Sequence, residues 1–201
     1  MIYTIGHSKL EKDEFLKLAE PIEVIVDVRS HPTSRWDQFK KAELEYWLPE
    51  ANINYEFWPE LGGWNNQHLY LADQMEAHLV DVRAYSNGKF PKQRIGKNNQ
   101  PSDQPYWWNQ GLWDYSWFMT LPEFLDGIDK LIERSKSQHL GIMCCECLWW
   151  KCHRSMIADY LCYLGEDAVH LQPKQKPHSE SLGNRLERYH SNIIEIWKSR
   201  A

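Results

Sequence analysis

The chain has no uninterrupted apolar run of about eighteen residues, the length a helix needs to cross a bilayer, so no membrane span is expected. Its opening stretch, Met1 to Phe15, carries neither a basic segment nor an apolar core of the kind that directs export. It also lacks the spread, even-numbered cysteines of a secreted disulfide scaffold: there are five, four of them between Cys144 and Cys152. A reducing, cytoplasmic setting is the expectation. Excess positive charge is missing as well. With 28 acidic against 23 basic side chains the formal net charge is -5, so the overall field repels a polyanion and any nucleic-acid role must rest on a local patch. No internal repeat or low-complexity tract is present. At 201 residues the chain fits one domain, able to bury roughly two-thirds of its unfolded surface without covalent staples.

What the sequence has in abundance is aromatic mass, 11 tryptophans and 10 tyrosines in a chain of mean hydropathy -0.66. Those rings either build a core and half-buried surface or stack on bases or sugars.

Strand-like and helix-like segments alternate. Ile2 to Ile5 predicts a strand that stops at Gly6-His7-Ser8, and Leu10 to Ala19 a helix. Val24 to Val28 is a nearly continuous β-branched run, the pattern of a strand covered on both faces. A polar loop from Arg29 to Arg35 follows it, then a helix over Lys41 to Pro49, an extended stretch at Asn54 to Trp58 and a turn at Leu61-Gly62-Gly63. From Trp64 to Trp117 periodicity is lost among Asn-Asn pairs, prolines and tryptophans, with a helix possible at His68 to Arg83. So long a punctuated segment predicts an insertion or lid over 64–117. Thr120-Leu121-Pro122-Glu123 predicts a helix start with Thr120 as cap, the helix running to about Ser135. His139 to Cys145 predicts a buried strand and Cys152 to Leu164 a helix closed by Gly165. A last strand at Ala168 to Leu171, a flexible loop at Lys174 to Ser181 and an amphipathic helix over 182–199 complete the reading. Strands separated by helices imply a three-layer α/β fold, a mainly parallel sheet with helices on both faces.

In such a sheet ligands bind outside the carboxyl ends of the strands. Three strand-end segments carry chemistry: Gly6-His7-Ser8, Asp27 to Arg35, and Cys145-Glu146 leading to Cys152-His153-Arg154-Ser155. The last opens a helix, whose free N–H groups and positive dipole end suit an anion, and Arg29, Arg35 and Arg154 suit phosphate or carboxylate. The alternative is that these arginines form structural bridges with Asp27 and Glu146. Glu146, directly after a strand, is a candidate general acid or base with His7 as partner. A thiolate beside a helix start and a guanidinium makes Cys145 or Cys152 a candidate nucleophile. Phosphatase spacing fails, because six residues separate Cys147 from Arg154 and eight separate Cys145 from it. Cys145, Cys147, Cys152 and His153 are of the right types for zinc, but their spacing is not that of paired knuckles, and no cofactor is expected. Cys144 and Cys162 read best as small apolar residues filling a tight sheet edge.

Taken together, Thr4-Ile5-Gly6-His7-Ser8, Asp27-Val28-Arg29-Ser30 with Pro32 and Ser34-Arg35, Leu61-Gly62-Gly63, and Cys145-Glu146 with Cys152-His153-Arg154-Ser155 resemble the domain-of-unknown-function 488 family. Phe118-Met119 followed by Pro122-Glu123-Phe124 is similar to the stretch before that family's final strands. The resemblance implies an α/β fold and a site at the matched positions, and supplies no reaction. The chain departs from the pattern at Cys147 to Lys151, where an acidic-proline linker is usual, and in the enlarged 64–117 segment.

The leading expectation is an enzyme acting on a phosphate-bearing small molecule or short nucleic acid. Arg29, Arg35, Arg154, His153 and Ser8 would bind the anion, Trp108 would stack on a base, and Glu146, His7, Cys145 or Cys152 would carry the chemistry. Asp27, Gly6, Gly62 and Gly63 would shape the crevice. The alternatives are a cysteine-dependent thiol- or sulfur-handling enzyme and a non-catalytic anion- or protein-binding module.

Overall fold

The structure, a computed structural model, describes residues 1–62, 110–189 and 191–200. Six strands, β1 (Ile2–Gly6), β2 (Val24–Asp27), β3 (Asn54–Phe57), β4 (Leu140–Cys144), β5 (Ala168–Leu171) and β6 (Lys176–Pro177), form one sheet in the order β3-β2-β4-β1-β5-β6. The first five run parallel and β6 pairs antiparallel with β5.

Every residue of β2 and of β4 is buried, as a strand covered on both sides requires. Side chains alternate between two cores. Val24, Val26 and Ile142 enter one of them, while Ile25, Ile5 and Met143 enter the other. Helices α1 (Lys12–Ala19) and α2 (Lys41–Glu50) cover the second core with Phe15, Leu44, Trp47 and Leu48. On the opposite face lie α3 (Gln110–Phe118), α4 (Pro122–Ser135) and α5 (Arg154–Tyr163), with Tyr115, Trp117, Phe124 and Tyr160 buried beneath them. Topology explains the split. The chain steps outward from β1 to β2 to β3, then reverses through β4 to β5, and right-handed crossovers in opposite directions put their helices on opposite faces. The return also inserts β4 between β1 and β2, so the carboxyl ends of those three strands are neighbours.

Four expectations are modified. The last stretch of the 64–117 segment is α3, whose Tyr115 and Trp117 are core residues at 2% and 0% exposure; positions 63–109, with Gly63, Trp108 and the helix expected at His68 to Arg83, lie outside the described residues. Thr120 does not cap α4. Its Oγ1 donates back to the Trp117 carbonyl at 2.7 Å and closes α3, while the extended N-cap of α4 is Leu121. The loop expected at Lys174 to Ser181 contains β6 and the wholly buried His178. The terminal helix expected over 182–199 is broken into α6 (Ser179–Leu182), a 3-10 segment at Gly183–Arg188 and α7 (Ser191–Lys198). The break has a cause: Arg185 and Tyr189 turn inward to bond the buried Asp159 at 2.6 and 2.8 Å, and the 3-10 segment and the extended residue after it carry both to that point. Gly165, at φ +88°, ends α5 as the sequence predicts.

Candidate functional site

The three strand-end segments are stitched together by main-chain hydrogen bonds. Val28 N–H donates to the Met143 carbonyl at 3.0 Å, His7 N–H to that of Cys144 at 3.1 Å, and Ser8 N–H to that of Cys145 at 3.0 Å. The tail of β4 therefore separates two adjoining hollows at the sheet edge. One, of about 350 Å³, is walled by Arg29, Cys144, Cys152 and His153. The other, of about 580 Å³, is walled by His7, Ser8, Lys9 and Arg35. Thr33, Cys145 and Glu146 line both.

At the end of β2 the charges are already matched. Arg29, 4% exposed, donates from Nε and a terminal nitrogen to the Asp27 carboxylate at 2.8 and 2.6 Å, and its other terminal nitrogen donates to the Thr33 and Phe39 carbonyls at 3.1 and 2.8 Å. Tyr55 donates its hydroxyl to the same carboxylate at 2.7 Å. Of the two readings left open for Arg29, its geometry is the structural bridge. Arg35 differs: it is exposed, lines the larger hollow, and has no hydrogen bond or ion pair among the described residues.

The end of β1 is shaped by close approach. A side-chain carbon at Gly6 would collide with the Glu146 carbonyl and the Arg154 guanidinium, so only glycine lets the β4 tail pass. His7 is 1% exposed, stacks on Phe39 at 4.3 Å and bonds the Ser8 carbonyl through Nδ1 at 2.9 Å. A carbonyl only accepts, so Nδ1 carries the proton. Burial pushes the His7 pKa down to about 4, and the ring is neutral near pH 7. Ser8 takes the left-handed conformation at φ +44°. Gly62 packs on Ser30 at the foot of the Arg29 loop.

The end of β4 holds the cysteines. Cys145 and Cys147 are exposed, whereas Cys144 and Cys152 are buried at 7% and 4%. The Cys144 thiol lies within hydrogen-bond reach of both Cys145 and Cys152. Its bond to Cys145 pulls the Cys145 pKa down to about 7 and leaves that of Cys144 at about 11. Burial pushes the Cys152 thiol up to about 12. Glu146 is exposed, and its carboxylate accepts the Leu148 N–H at 2.9 Å.

Arg154 points inward. It is 1% exposed, donates to the Glu146 carbonyl and, from Nε, to the Cys152 sulfur at 3.4 Å. Unlike Arg29 it has no carboxylate partner among the described residues, so the bridge to Glu146 runs through a carbonyl and not the carboxylate. His153, 8% exposed, donates from Nε2 to the Val28 carbonyl at 2.9 Å. In the neutral ring this leaves the Nδ1 lone pair facing the Cys152 sulfur at 3.6 Å. The N–H groups of Ser155 and Met156 at the start of α5 are already bonded to the Cys152 and His153 carbonyls, which reduces the donor set offered to an anion.

Of the residues singled out by sequence, the structure brings Cys145, Glu146, His7, Ser8 and Arg35 to one hollow, and Arg29, Cys145, Glu146, Cys152 and His153 to the other. Arg154 and Asp27 lie behind these walls. The zinc-type set expected from sequence is rearranged: Cys145 and Cys147 are not part of the group, and Cys144 takes their place with Cys152 and His153. Sequence reasoning assigned Cys144 to packing. Cys144 closes the buried strand β4 while Cys145 begins the exposed turn after it, a boundary the sequence does not mark.

A second buried assembly escaped the sequence altogether. Thr4 Oγ1, His170, His178 and Asp159 form a chain of hydrogen bonds of 2.7, 2.8 and 2.7 Å, ending on Arg185 and Tyr189. Trp149, from the segment between Cys147 and Cys152, stacks on His170 at 3.8 Å. The network thus anchors the loop that carries the cysteines.

The family model described as a domain of unknown function, DUF488, matches residues 13–74 and 91–161. The chain belongs to the DUF488 family. No curated protein and no solved structure matches it. Among the described residues no helix is long and apolar enough to cross a membrane.

Proposed function

We propose that this DUF488 member is a cysteine-dependent, sulfur-handling enzyme whose nucleophile is Cys145, acting on a small anionic substrate. The observation that carries the reading is positional: Cys145 is an exposed thiol, directly after a central strand, in the wall common to both hollows. Arg35 and Lys9, without an ion pair among the described residues, supply positive charge beside it, and Glu146 stands next to it as the group able to take or return a proton. His7, neutral and buried, positions the Ser8 turn.

Thiosulfate is a suitable probe. The Cys145 thiolate would attack its outer sulfur, the S–S bond breaks, and sulfite leaves with the electron pair, so that Cys145 becomes a persulfide. Mass spectrometry should find one added sulfur atom on Cys145, none in Cys145→Ser, and slower addition in Arg35→Ala. Absence of the adduct in the folded wild type would remove the sulfur-transfer reading. A phosphate-bearing substrate is the second reading, favoured by Arg35 in the same wall, which has no ion pair among the described residues. It requires salt-dependent binding of nucleotides or short oligonucleotides that Arg35→Ala weakens and Arg29→Lys leaves largely unchanged.

A further inference from the structure

The floor of the smaller hollow holds a group the proposed function does not use. Cys144, Cys152 and His153 are all buried, and one ligand atom from each lies within 4.8 Å of the other two. The Cys152 sulfur and His153 Nδ1 are 3.6 Å apart. A tetrahedral ion with bonds of about 2.3 Å to sulfur and about 2.0 Å to nitrogen needs a sulfur–nitrogen edge of about 3.5 Å, so this edge is already formed.

The surroundings suit ligation. His153 is fixed by its Nε2–H bond to the Val28 carbonyl at 2.9 Å, the outer-shell contact that commonly orients a metal-bound imidazole and keeps the other nitrogen free to bind. Arg154 donates to the Cys152 sulfur at 3.4 Å, a bond that survives when the sulfur is a metal-bound thiolate. All three residues line the hollow, which leaves room on the open side of a tetrahedron. We propose that Cys144, Cys152 and His153 bind a zinc-type divalent cation, with a fourth coordination position opening into the crevice beside Cys145.

The donor types select the ion class. Two thiolates and an imidazole are borderline-soft and suit zinc or cobalt rather than magnesium or calcium. Charge favours an anion at the open position: two thiolates cancel the divalent ion, Glu146 and Lys151 in the same wall offset each other, and the Arg154 guanidinium leaves one positive charge in excess. That agrees with the anionic substrate class proposed for Cys145, but the cation site stands on its own geometry and does not need Cys145 to react.

Reduced, chelator-treated full chain is titrated with Co²⁺ and then Zn²⁺. The expected result is thiolate-to-cobalt charge-transfer absorption saturating near one equivalent and bleached by Zn²⁺. Cys152→Ser and Cys144→Ser should each lose it, whereas Cys145→Ser and Cys147→Ser should keep it. Folded wild type without these bands, or bands that persist in Cys144→Ser and Cys152→Ser, would overturn the assignment. X-ray absorption on the Zn²⁺-loaded wild type decides the matter even if those variants do not fold: a shell containing two sulfurs and one imidazole nitrogen supports the site, and a shell of oxygens alone rejects it. Loss of persulfide formation with retained cobalt bands in Cys145→Ser separates this site from the proposed reaction.

Discussion

Arg29 and Arg154 are both buried guanidiniums at the carboxyl edge of one sheet, yet their surroundings differ. Arg29 is paired with Asp27 through two nitrogens, and its other terminal nitrogen meets the Thr33 and Phe39 carbonyls and His7 Nε2. Arg154 meets a carbonyl and a thiol, with no carboxylate beside it among the described residues. A buried charge needs compensation. At β2 it is built in, and that end of the crevice is scaffold. At β4, among the described residues, negative charge within direct reach of the guanidinium would come from cysteine sulfur or from a bound group, and that is the end where chemistry is expected.

The contrast can be broken at its scaffold end first. Asp27→Asn leaves Arg29 buried without its counter-charge, and unfolding in urea should show a loss of about 3–5 kcal/mol. A loss under about 1 kcal/mol would mean that Arg29 reaches solvent. Gly6→Ala tests the other end, since the added carbon meets the Glu146 carbonyl and the Arg154 guanidinium. It should cost about 1–3 kcal/mol, the usual penalty of overpacking, and should disturb Cys145 reactivity while leaving the Arg29–Asp27 pair intact.

A pH dependence sharpens the comparison further. Burial holds His170 down to about 2 from its ordinary 6.5, with His178, Arg154, Arg185 and Lys176 adding positive charge around it. The folded value lies below the unfolded one, so stability is full above about pH 6.5 and declines as pH falls below it. Asp159, held below the usual carboxylate range where its bonds to His178 and Arg185 outweigh its burial, acts in the same direction at lower pH. His7, held down to about 4, adds to the same decline, so thermal melts between pH 8 and pH 5 should fall steadily on the acid side; a flat profile would show that both histidines protonate freely in the folded state. The smallest effect belongs to Arg35. Arg35 is exposed, and Arg35→Ala should change stability by no more than about 0.5 kcal/mol while slowing sulfur addition to Cys145.

The sheet was legible because its strands are written in β-branched and apolar runs, and because Pro122 and Gly165 mark helix boundaries with a backbone reason. The convergence of Gly6-His7-Ser8, Asp27 to Arg35 and Cys145-Glu146 followed from the rule that parallel strands present their carboxyl ends together. The direction of individual side chains was not legible. An arginine at the first position of a helix reads the same whether it faces a ligand or the core, and only the packing around Gly6 turns Arg154 inward. Cys144 and Cys145 are adjacent in sequence and both line the smaller hollow, yet one is buried at the end of β4 and the other is exposed just beyond it. The break in the terminal helix depends on Asp159 drawing in Arg185 and Tyr189 from 26 and 30 residues away, which no local pattern encodes.

The claim that the β4 end is the reactive one is tested most directly by time-resolved iodoacetamide labelling of the folded, reduced chain, with mass-spectrometric mapping of each cysteine. Cys145 should be modified first and faster than Cys147, which is also exposed, while Cys144 and Cys152 stay unmodified until the protein unfolds. Labelling of Cys152 or Cys144 at a rate matching Cys145, or of Cys147 ahead of it, would contradict the account.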